Sequence, residues 1–215
     1  MSKPYREADI SDQFAQDRNW RLKEISDLKS AIQRADLSLQ RVLLRALVSV
    51  CYAHWEGSVR FSARKYLEYV SLRKFLYGQL DRQFLRNYFL PRLAALASSK
   101  ASVTERCTLV NDILNASERR FSRVNEDIVN TRSNLSFDVF VDICLVCGIS
   151  VDPFADQATF IDILLLKRRN GIAHGEDTLV DVRDLDILAN GTIALMRSFA
   201  HALENHIYRR GYLAA

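Results

Sequence analysis

Residues 36–70 read DLSLQRVLLRALVSVCYAHWEGSVRFSARKYLEYV, and this stretch decides the fold. It holds one glycine and no proline, and its apolar residues recur at the three- and four-residue spacing of an α-helix. Asp36 is placed to cap the N-terminus of this helix. Two adjoining stripes of the helix are apolar, which is typical of the centre of a helical bundle. One stripe contains Leu43, Leu47, Val50 and His54, and the other contains Leu44, Val48, Cys51 and Trp55.

Working outward, turn-forming residues are scarce throughout the chain. The 215 residues include seven glycines and three prolines, which argues against a many-stranded β fold and for long helices. We therefore predict an all-α protein. Beyond the central helix, helices are expected at residues 7–35 (one or two helices), 79–97 (with Pro91 kinking or ending its first part), 135–147, 156–173 and 182–209. The polar residues 98–134 are expected to form a mobile loop with one short helix near residues 106–114.

The domain organisation follows from the same patterns. Residues 1–35 carry few apolar positions among many charges, which predicts an amphipathic helical extension. Residues 36–215 form the predicted main helical domain, and no strong boundary separates the two parts, so one folded unit is expected. The N-terminal region lacks the apolar segment of a secretory signal, and the longest apolar run, residues 42–55, is interrupted by Arg45. That run is shorter than the ~20 residues of a membrane span.

These absences predict a cytoplasmic protein that has no membrane segment and whose four cysteines are free thiols. Cys144 and Cys147 form a CxxC pair inside an apolar run. A structural zinc site would need a second ligand pair at suitable spacing, and the sequence has none. We interpret both cysteines as core residues and expect neither a metal nor a cofactor.

The formal net charge of +4 hides an uneven distribution. Residues 60–92 hold eight basic and two acidic side chains, together with eight aromatic ones, whereas residues 138–186 hold ten acidic and four basic ones. Basic side chains beside exposed rings are typical of single-stranded RNA binding; the alternative is a solvated basic face whose aromatics point inward. The candidate RNA-binding residues are Lys167, Arg168, Arg60, Arg64, Lys65, Arg73 and Lys74.

The most distinctive stretch, KRRNGIAHGE at residues 167–176, contains an arginine and a histidine with four residues between them. The guanidinium of Arg169 suits a phosphate, and the imidazole of His174 exchanges protons near neutral pH. Together they meet the needs of RNA phosphodiester cleavage. Asn170 and His174 would share a helix face, but Arg169 lies about 140° from His174 on an ideal helix. The two converge only if the helix is distorted, which Gly171 could permit, or if the site is composite.

The string RNGIAHG resembles the RNxxAH motif of the HEPN superfamily. Residues 52–57, YAHWEG, resemble a run of its prokaryotic branch called MAE-type or RiboL-PSP-type, and Asn134-Leu135 fits the same branch. The resemblance covers roughly residues 35–209. It implies a four-helix core with extra helices, and a homodimer in which the motifs of two protomers face each other across a composite active site. It also implies a metal-independent endoribonuclease of a toxin–antitoxin or phage-defence (abortive infection) system, leaving a 2′,3′-cyclic phosphate.

The same resemblance implies roles for three residues. Arg169 would bind and stabilise the scissile phosphate, His174 would act in acid–base catalysis, and Asn170 would be a polar helper. The expected partners are RNA and a second copy of the chain, with an antitoxin or a nucleotidyltransferase as a further possibility. The alternatives are a non-catalytic scaffold that binds RNA or a partner and keeps the motif as a phosphate clamp, or a purely structural subunit.

Two further residues of the central helix have two interpretations each. His54 is either a hydrogen-bonded core histidine or a group that orients Arg169 or His174. Glu56 is either a surface ion-pair partner of Arg60, four residues on, or a second such orienting group. His201 and His206 do not have the HExxH spacing of zinc enzymes, and we expect them on a solvated face.

Overall fold

The computed structural model describes residues 3–98 and 100–214, and for Ser98 and Glu126 the backbone alone. Met1 and Ser2 of the predicted extension, Ser99 of the predicted loop and Ala215 lie outside the described residues. Within the described ranges there are helices and no strands, so the predicted all-α fold is confirmed. The α-helices are α1 (Glu7–Arg34), α2 (Leu37–Leu72), α3 (Arg82–Ser98), α4 (Val103–Leu114), α5 (Phe137–Cys147), α6 (Arg168–Ala173) and α7 (Asp184–Tyr208).

Shorter helical pieces connect these elements. A π-helical segment, Phe160–Lys167, runs directly into α6. Single 3₁₀ turns occupy Tyr77–Gln79, Ala116–Glu118 and Glu126–Ile128, and a longer one spans Asp152–Gln157. The predicted helix at residues 156–173 is therefore a succession of 3₁₀, π and α geometry.

The centre of the bundle is α2, as its two apolar stripes predicted. It packs against α1, α7, α5, α6 and the π-helical segment. Trp55 is completely buried, with its ring centroid 5.1 Å from that of Phe140 on α5 and 6.4 Å from that of Phe199 on α7. The aromatic layer that joins α2, α5 and α7 forms the middle of the core.

The helix ends follow ordinary capping chemistry. The side chain of Asp36 accepts a hydrogen bond of 2.9 Å from the backbone N–H of Leu39, which confirms the predicted cap of α2. Ser136 caps α5 in the same way, and α5 ends at Gly148, whose φ of 71° is left-handed. Asp162 of the π-helical segment also accepts a bond of 2.7 Å from the Phe137 N–H, tying that segment to the start of α5.

Helix α1 is one continuous helix that lies across α2 and α7. Ile10, Phe14, Ile25 and Ile32 are buried in the same core as the residues of α2. The division of the chain at residue 36 stays a prediction, although α1 contributes to the common core.

Helix α3 continues through Pro91 rather than ending there. Proline removes one backbone donor from a helix, so one carbonyl of the preceding turn has no intrahelical partner. Of the eight aromatics in the basic segment, Tyr88 alone is exposed, which confirms the interpretation that these rings point mainly inward. RNA therefore cannot stack on most of them.

Cys51, Cys144 and Cys147 are buried free thiols, and Cys107 is exposed. Burial raises the pKa of Cys144 to about 12, so this thiol stays protonated at neutral pH. The core interpretation of the CxxC pair agrees with these positions. In the part of the chain that the structure describes, no helix has the length and apolar character needed to cross a membrane.

Candidate active site

The stretch RNGIAHG lies on α6 and the turn that follows it. The distortion that Gly171 could permit between Arg169 and His174 is not present: residues 168–173 are α-helical, and the π-helical segment ends at Lys167, before both residues. Because a π-helix has more residues per turn than an α-helix, it changes the directions in which the following side chains point. His174 ends α6 with φ −88° and ψ 7°, and Gly175 follows with a left-handed φ of 79°.

Arg169 is held by two side chains from distant parts of the sequence. Its guanidinium carbon lies 4.0 Å from the centroid of the Tyr52 ring on α2. Its Nη2 donates a hydrogen bond of 3.2 Å to Oδ1 of Asn134, just before α5. Its Nε is buried and has no hydrogen-bond partner among the described residues. The Tyr52 ring therefore contacts the guanidinium from one side, and the Asn134 amide holds one of its nitrogens.

Tyr52 is buried and fixes the same loop that carries Asn134. Its hydroxyl accepts a hydrogen bond of 2.6 Å from the backbone N–H of Leu135. Burial raises the pKa of Tyr52, so its phenol stays neutral at physiological pH. One side chain thus supports the arginine with its ring and the neighbouring loop with its oxygen.

Glu56, one turn further along α2, supports the loop at a second point. Its Oε1 accepts a hydrogen bond of 2.6 Å from Oγ1 of Thr131, and the Thr131 carbonyl accepts one of 2.9 Å from the Asn134 N–H. No ion pair joins Glu56 to Arg60 among the described side chains. The contacts lead from Glu56 through Thr131 and Asn134 to Arg169, so an orienting role for Glu56 would be indirect.

His54 points to the other side of α2, toward α1. Its Nε2 lies 2.8 Å from Glu24 Oε2 and its Nδ1 3.4 Å from Arg21 Nη1, and the ring meets Trp20 edge-on at 5.0 Å. Burial lowers the pKa of His54, which favours the neutral imidazole. The structure therefore brings His54 together with α1, and no contact joins it to Arg169 or His174 among the described residues. Its predicted orienting role has no contact to act through.

His174 and Asn170 complete the motif. The backbone N–H of His174 donates to the Asn170 carbonyl at 3.0 Å, closing the last turn of α6. The imidazole is exposed, and within residues 3–98 and 100–214 it has no hydrogen-bond or ion-pair partner. Asn170 is half-buried beside it. The chain thus presents a guanidinium held by its neighbours and, at the end of the same short helix, an imidazole open to solvent.

The turn after His174 is fastened to α2 by two arginines, which sequence reasoning missed. Nη1 and Nη2 of Arg45 donate to the carbonyls of Thr178 and Glu176, at 3.1 and 2.9 Å. Arg41 forms an ion pair of 2.6 Å with Asp177. The partners are more than 130 residues apart in the chain, so no local spacing could reveal these contacts.

Gly171 lets this turn approach α6 closely. It is buried, and its carbonyl accepts a bond of 2.9 Å from the Glu176 N–H. A Cβ at this position would lie 2.7 Å from Thr178 Oγ1 and 2.8 Å from Glu176 Oε2. Gly171 therefore serves close packing, whereas the helix distortion comes from the preceding π-helical segment.

The predicted RNA-binding cations divide into two groups. Three of them are partly buried: Arg168 pairs with Asp184 at 2.8 Å, Lys65 pairs with Glu68 at 2.7 Å, and Arg73 donates to the Tyr5 carbonyl. Four are exposed, namely Lys167 beside α6, Arg60 and Arg64 on α2, and Lys74 just after α2. The exposed group is the one that solvent or RNA can reach directly.

His201 is exposed on α7 as expected, but the prediction is wrong for His206. Its ring packs against Tyr66 with centroids 5.9 Å apart, and burial lowers its pKa. Among the described residues, no group of three or more His, Cys, Asp or Glu side chains is arranged to hold a metal ion.

A family model described as RiboL-PSP-HEPN matches residues 16–205, which includes most of α1 and the whole of the site. Comparison with curated proteins gives no match, and neither does comparison with solved structures. HEPN domains are commonly ribonucleases and often dimeric, so this match supports a function related to RNA. Because the match extends over most of its length, the chain belongs to the RiboL-PSP-HEPN family.

Proposed function

We propose that the protein is an endoribonuclease that cuts RNA with Arg169 and His174 and needs no metal ion. The observation that carries this proposal is the contrast within α6. Arg169 is immobilised by Tyr52 and Asn134, whereas the His174 imidazole is exposed and has no partner among the described side chains. A fixed cation suits charge stabilisation, and an imidazole that is open to solvent suits proton transfer.

The reaction is transesterification at phosphorus. His174 accepts the proton of the ribose 2′-hydroxyl, and the 2′ oxygen bonds to the neighbouring phosphorus. The bond from phosphorus to the 5′ oxygen breaks, and that oxygen takes up a proton as it leaves. The products are a 2′,3′-cyclic phosphate and a 5′-hydroxyl. Arg169 stabilises the charge that builds on the non-bridging oxygens, and Asn170 assists as a polar neighbour.

A homodimer with a composite site supplies the second proton-transfer group. In this arrangement the motifs of two protomers face each other, so one imidazole accepts the 2′-hydroxyl proton and the other protonates the 5′ oxygen. The exposed position of His174 at the end of α6 is compatible with such a meeting. The dimer predicts a solution mass of about twice the 24.7 kDa of one chain, which light scattering measures.

The biological setting we propose is a toxin–antitoxin or phage-defence system in which RNA cleavage arrests the cell. An antitoxin or a nucleotidyltransferase would then silence the site. Expression of the wild type in a bacterial host should stop growth, whereas expression of His174→Ala should not. Equal growth with both proteins would contradict the toxic role but not the cleavage chemistry.

The cleavage test uses single-stranded RNA, purified protein and EDTA. Arg169→Ala and His174→Ala should each abolish product formation. Arg106→Ala on α4 and His201→Ala on α7 are matched controls because both side chains are exposed and lie outside the motif. Cleavage that survives in both motif variants would overturn the proposal. RNA binding without any product, unchanged in His174→Ala, would favour a non-catalytic RNA-binding scaffold instead.

A further inference from the structure

A cavity of about 340 Å³ lies between α2, α3 and residues 121–128, distinct from the Arg169 site. Most of the residues that line it are apolar, four of them aromatic, and two asparagines and two arginines complete the lining. This size and lining match those of small-molecule sites, which are mostly apolar with a few polar groups. The aromatic walls are Tyr77, Phe84, Tyr88 and Phe121, and the aliphatic ones are Leu67, Val124 and Ile128.

The buried polar group in this cavity is already satisfied. Oδ1 of Asn87 accepts a hydrogen bond of 2.9 Å from Gln83 Nε2, and its Nδ2 donates one of 2.7 Å to the Val146 carbonyl. The Asn87 amide therefore has little capacity left to recognise the hydrogen-bonding edge of a nucleobase. The part of a ligand that enters the cavity would be apolar and, given the four rings, flat.

The mouth of the cavity is cationic. Arg92 forms an ion pair of 2.7 Å with Asp112, which also pairs with Arg119 at 2.9 Å, so this network keeps one excess positive charge. Arg123 is exposed at the rim, and its side chain has no ion pair or hydrogen bond with any residue that the structure describes. A free guanidinium beside an apolar cavity is suited to a carboxylate.

We propose that this cavity binds a small flat apolar molecule that carries one carboxylate. The aromatic rings would contact the apolar part of this molecule, and Arg123 would bind its carboxylate. The site does not depend on RNA cleavage. Its test is therefore a binding measurement, which stays informative whether or not the chain is a nuclease.

The probes are 2-naphthoate and its uncharged analogue 2-naphthamide, which share one shape and differ in charge. Isothermal titration calorimetry on the full chain should show that the carboxylate binds about tenfold more tightly than the amide. Arg123→Ala should remove most of this preference and leave binding of 2-naphthamide unchanged. Arg106→Ala is the matched control, since this exposed arginine of α4 lies outside the cavity, and it should keep the full preference.

A second variant tests the location. Val124→Trp places a large ring at the partly buried edge of the cavity and should weaken both probes at least about tenfold, with thermal unfolding measured to confirm that the variant folds. Absence of binding to the wild type, or binding that neither variant affects, would overturn the proposal. Displacement of 2-naphthoate by a short oligoribonucleotide would also overturn it, because the cavity would then belong to RNA.

Discussion

The guanidinium of Arg169 lies over the ring of Tyr52, a residue 117 positions earlier in the chain, with 4.0 Å from its central carbon to the ring centroid. Arginine has many rotamers in solution, and a catalytic arginine that must first be ordered loses part of its binding energy. The stacking on Tyr52 removes this cost before RNA arrives. The contact therefore connects the buried face of α2 with the proposed chemistry at α6.

The two functions of Tyr52 can be separated by substitution. Tyr52→Phe keeps the ring under Arg169 but leaves the Leu135 N–H without its acceptor, so it should lower the free energy of unfolding by about 1–2 kcal/mol and largely retain cleavage. Tyr52→Leu also removes the ring face, and kcat/KM should fall about tenfold. Urea unfolding and RNA cleavage rates measure these effects, and Tyr208→Phe, at an exposed tyrosine, is the control. Equal activity of both Tyr52 variants would contradict the stacking argument.

Asn134 should affect activity more than stability. Its side chain is exposed, and its contact with Arg169 orients the guanidinium rather than filling the core. Asn134→Ala should reduce kcat/KM about tenfold and change the free energy of unfolding by less than about 1 kcal/mol. Asn19→Ala, at an exposed asparagine on α1, should change neither quantity. If kcat/KM of Asn134→Ala equals that of the wild type, Asn134 does not position Arg169.

The buried ion pair on α1 should contribute more to the free energy of unfolding than an exposed pair on the same helix. Asp17 and Arg21 form a two-pronged pair, with nitrogen–oxygen distances of 2.8 and 2.9 Å, and both side chains are buried. Asp17→Asn leaves a buried guanidinium without its main counter-charge and should cost about 3 kcal/mol of unfolding free energy.

A matched control for this prediction lies on the same helix. Lys23 and Asp27 have the same four-residue spacing, but both are exposed. Asp27→Asn should change the free energy of unfolding by less than about 0.5 kcal/mol, because exposed pairs contribute little. Similar losses in urea unfolding for the two variants would show that burial is not the deciding factor.

The stability of the fold should decrease in mild acid because of two histidines. Burial lowers the pKa of His54 and of His206 in the folded protein, so between that lowered pKa and ~6.5 the unfolded chain binds more protons than the folded one. The free energy of unfolding is therefore unaffected by these groups above pH ~6.5 and falls as the pH drops below it.

The surrounding charges limit the size of this effect. Glu24 and Asp17 favour the protonated form of His54 and Arg21 opposes it, while Asp81 favours the protonated form of His206. Urea unfolding between pH 7.5 and pH 5 measures the slope at ~25 °C. The variant His206→Gln should flatten the slope, whereas His201→Gln, at an exposed histidine, should leave it unchanged. A slope that is the same in all three proteins would refute the assignment to His206.

The sequence was sufficient for the helical class, the central position of α2 and the Asp36 cap, because these depend on local spacing and on local hydrogen bonds. The choice of Arg169 and His174 as the catalytic pair stays a prediction. Their surroundings could not be predicted, since Tyr52, Thr131 and Asn134 meet only through tertiary packing. The π-helical segment before α6 has no distinctive composition, and His206 is partly buried through contacts with Tyr66 that its own helix pattern does not reveal.

Residues of the hexapeptide 52–57 take part in three separate sets of contacts. Tyr52 supports Arg169, Glu56 holds Thr131, and Gly57 leaves room for Arg21, whose Nη1 would lie 2.7 Å from a Cβ at that position. These six adjacent residues are therefore not required for one common reason. In related sequences we expect position 57 to vary together with position 21, and position 56 with position 131. Substitutions would then occur in pairs, one residue on each of two contacting elements. A relative that keeps the hexapeptide but differs at position 21 or 131 would have different contacts at that point.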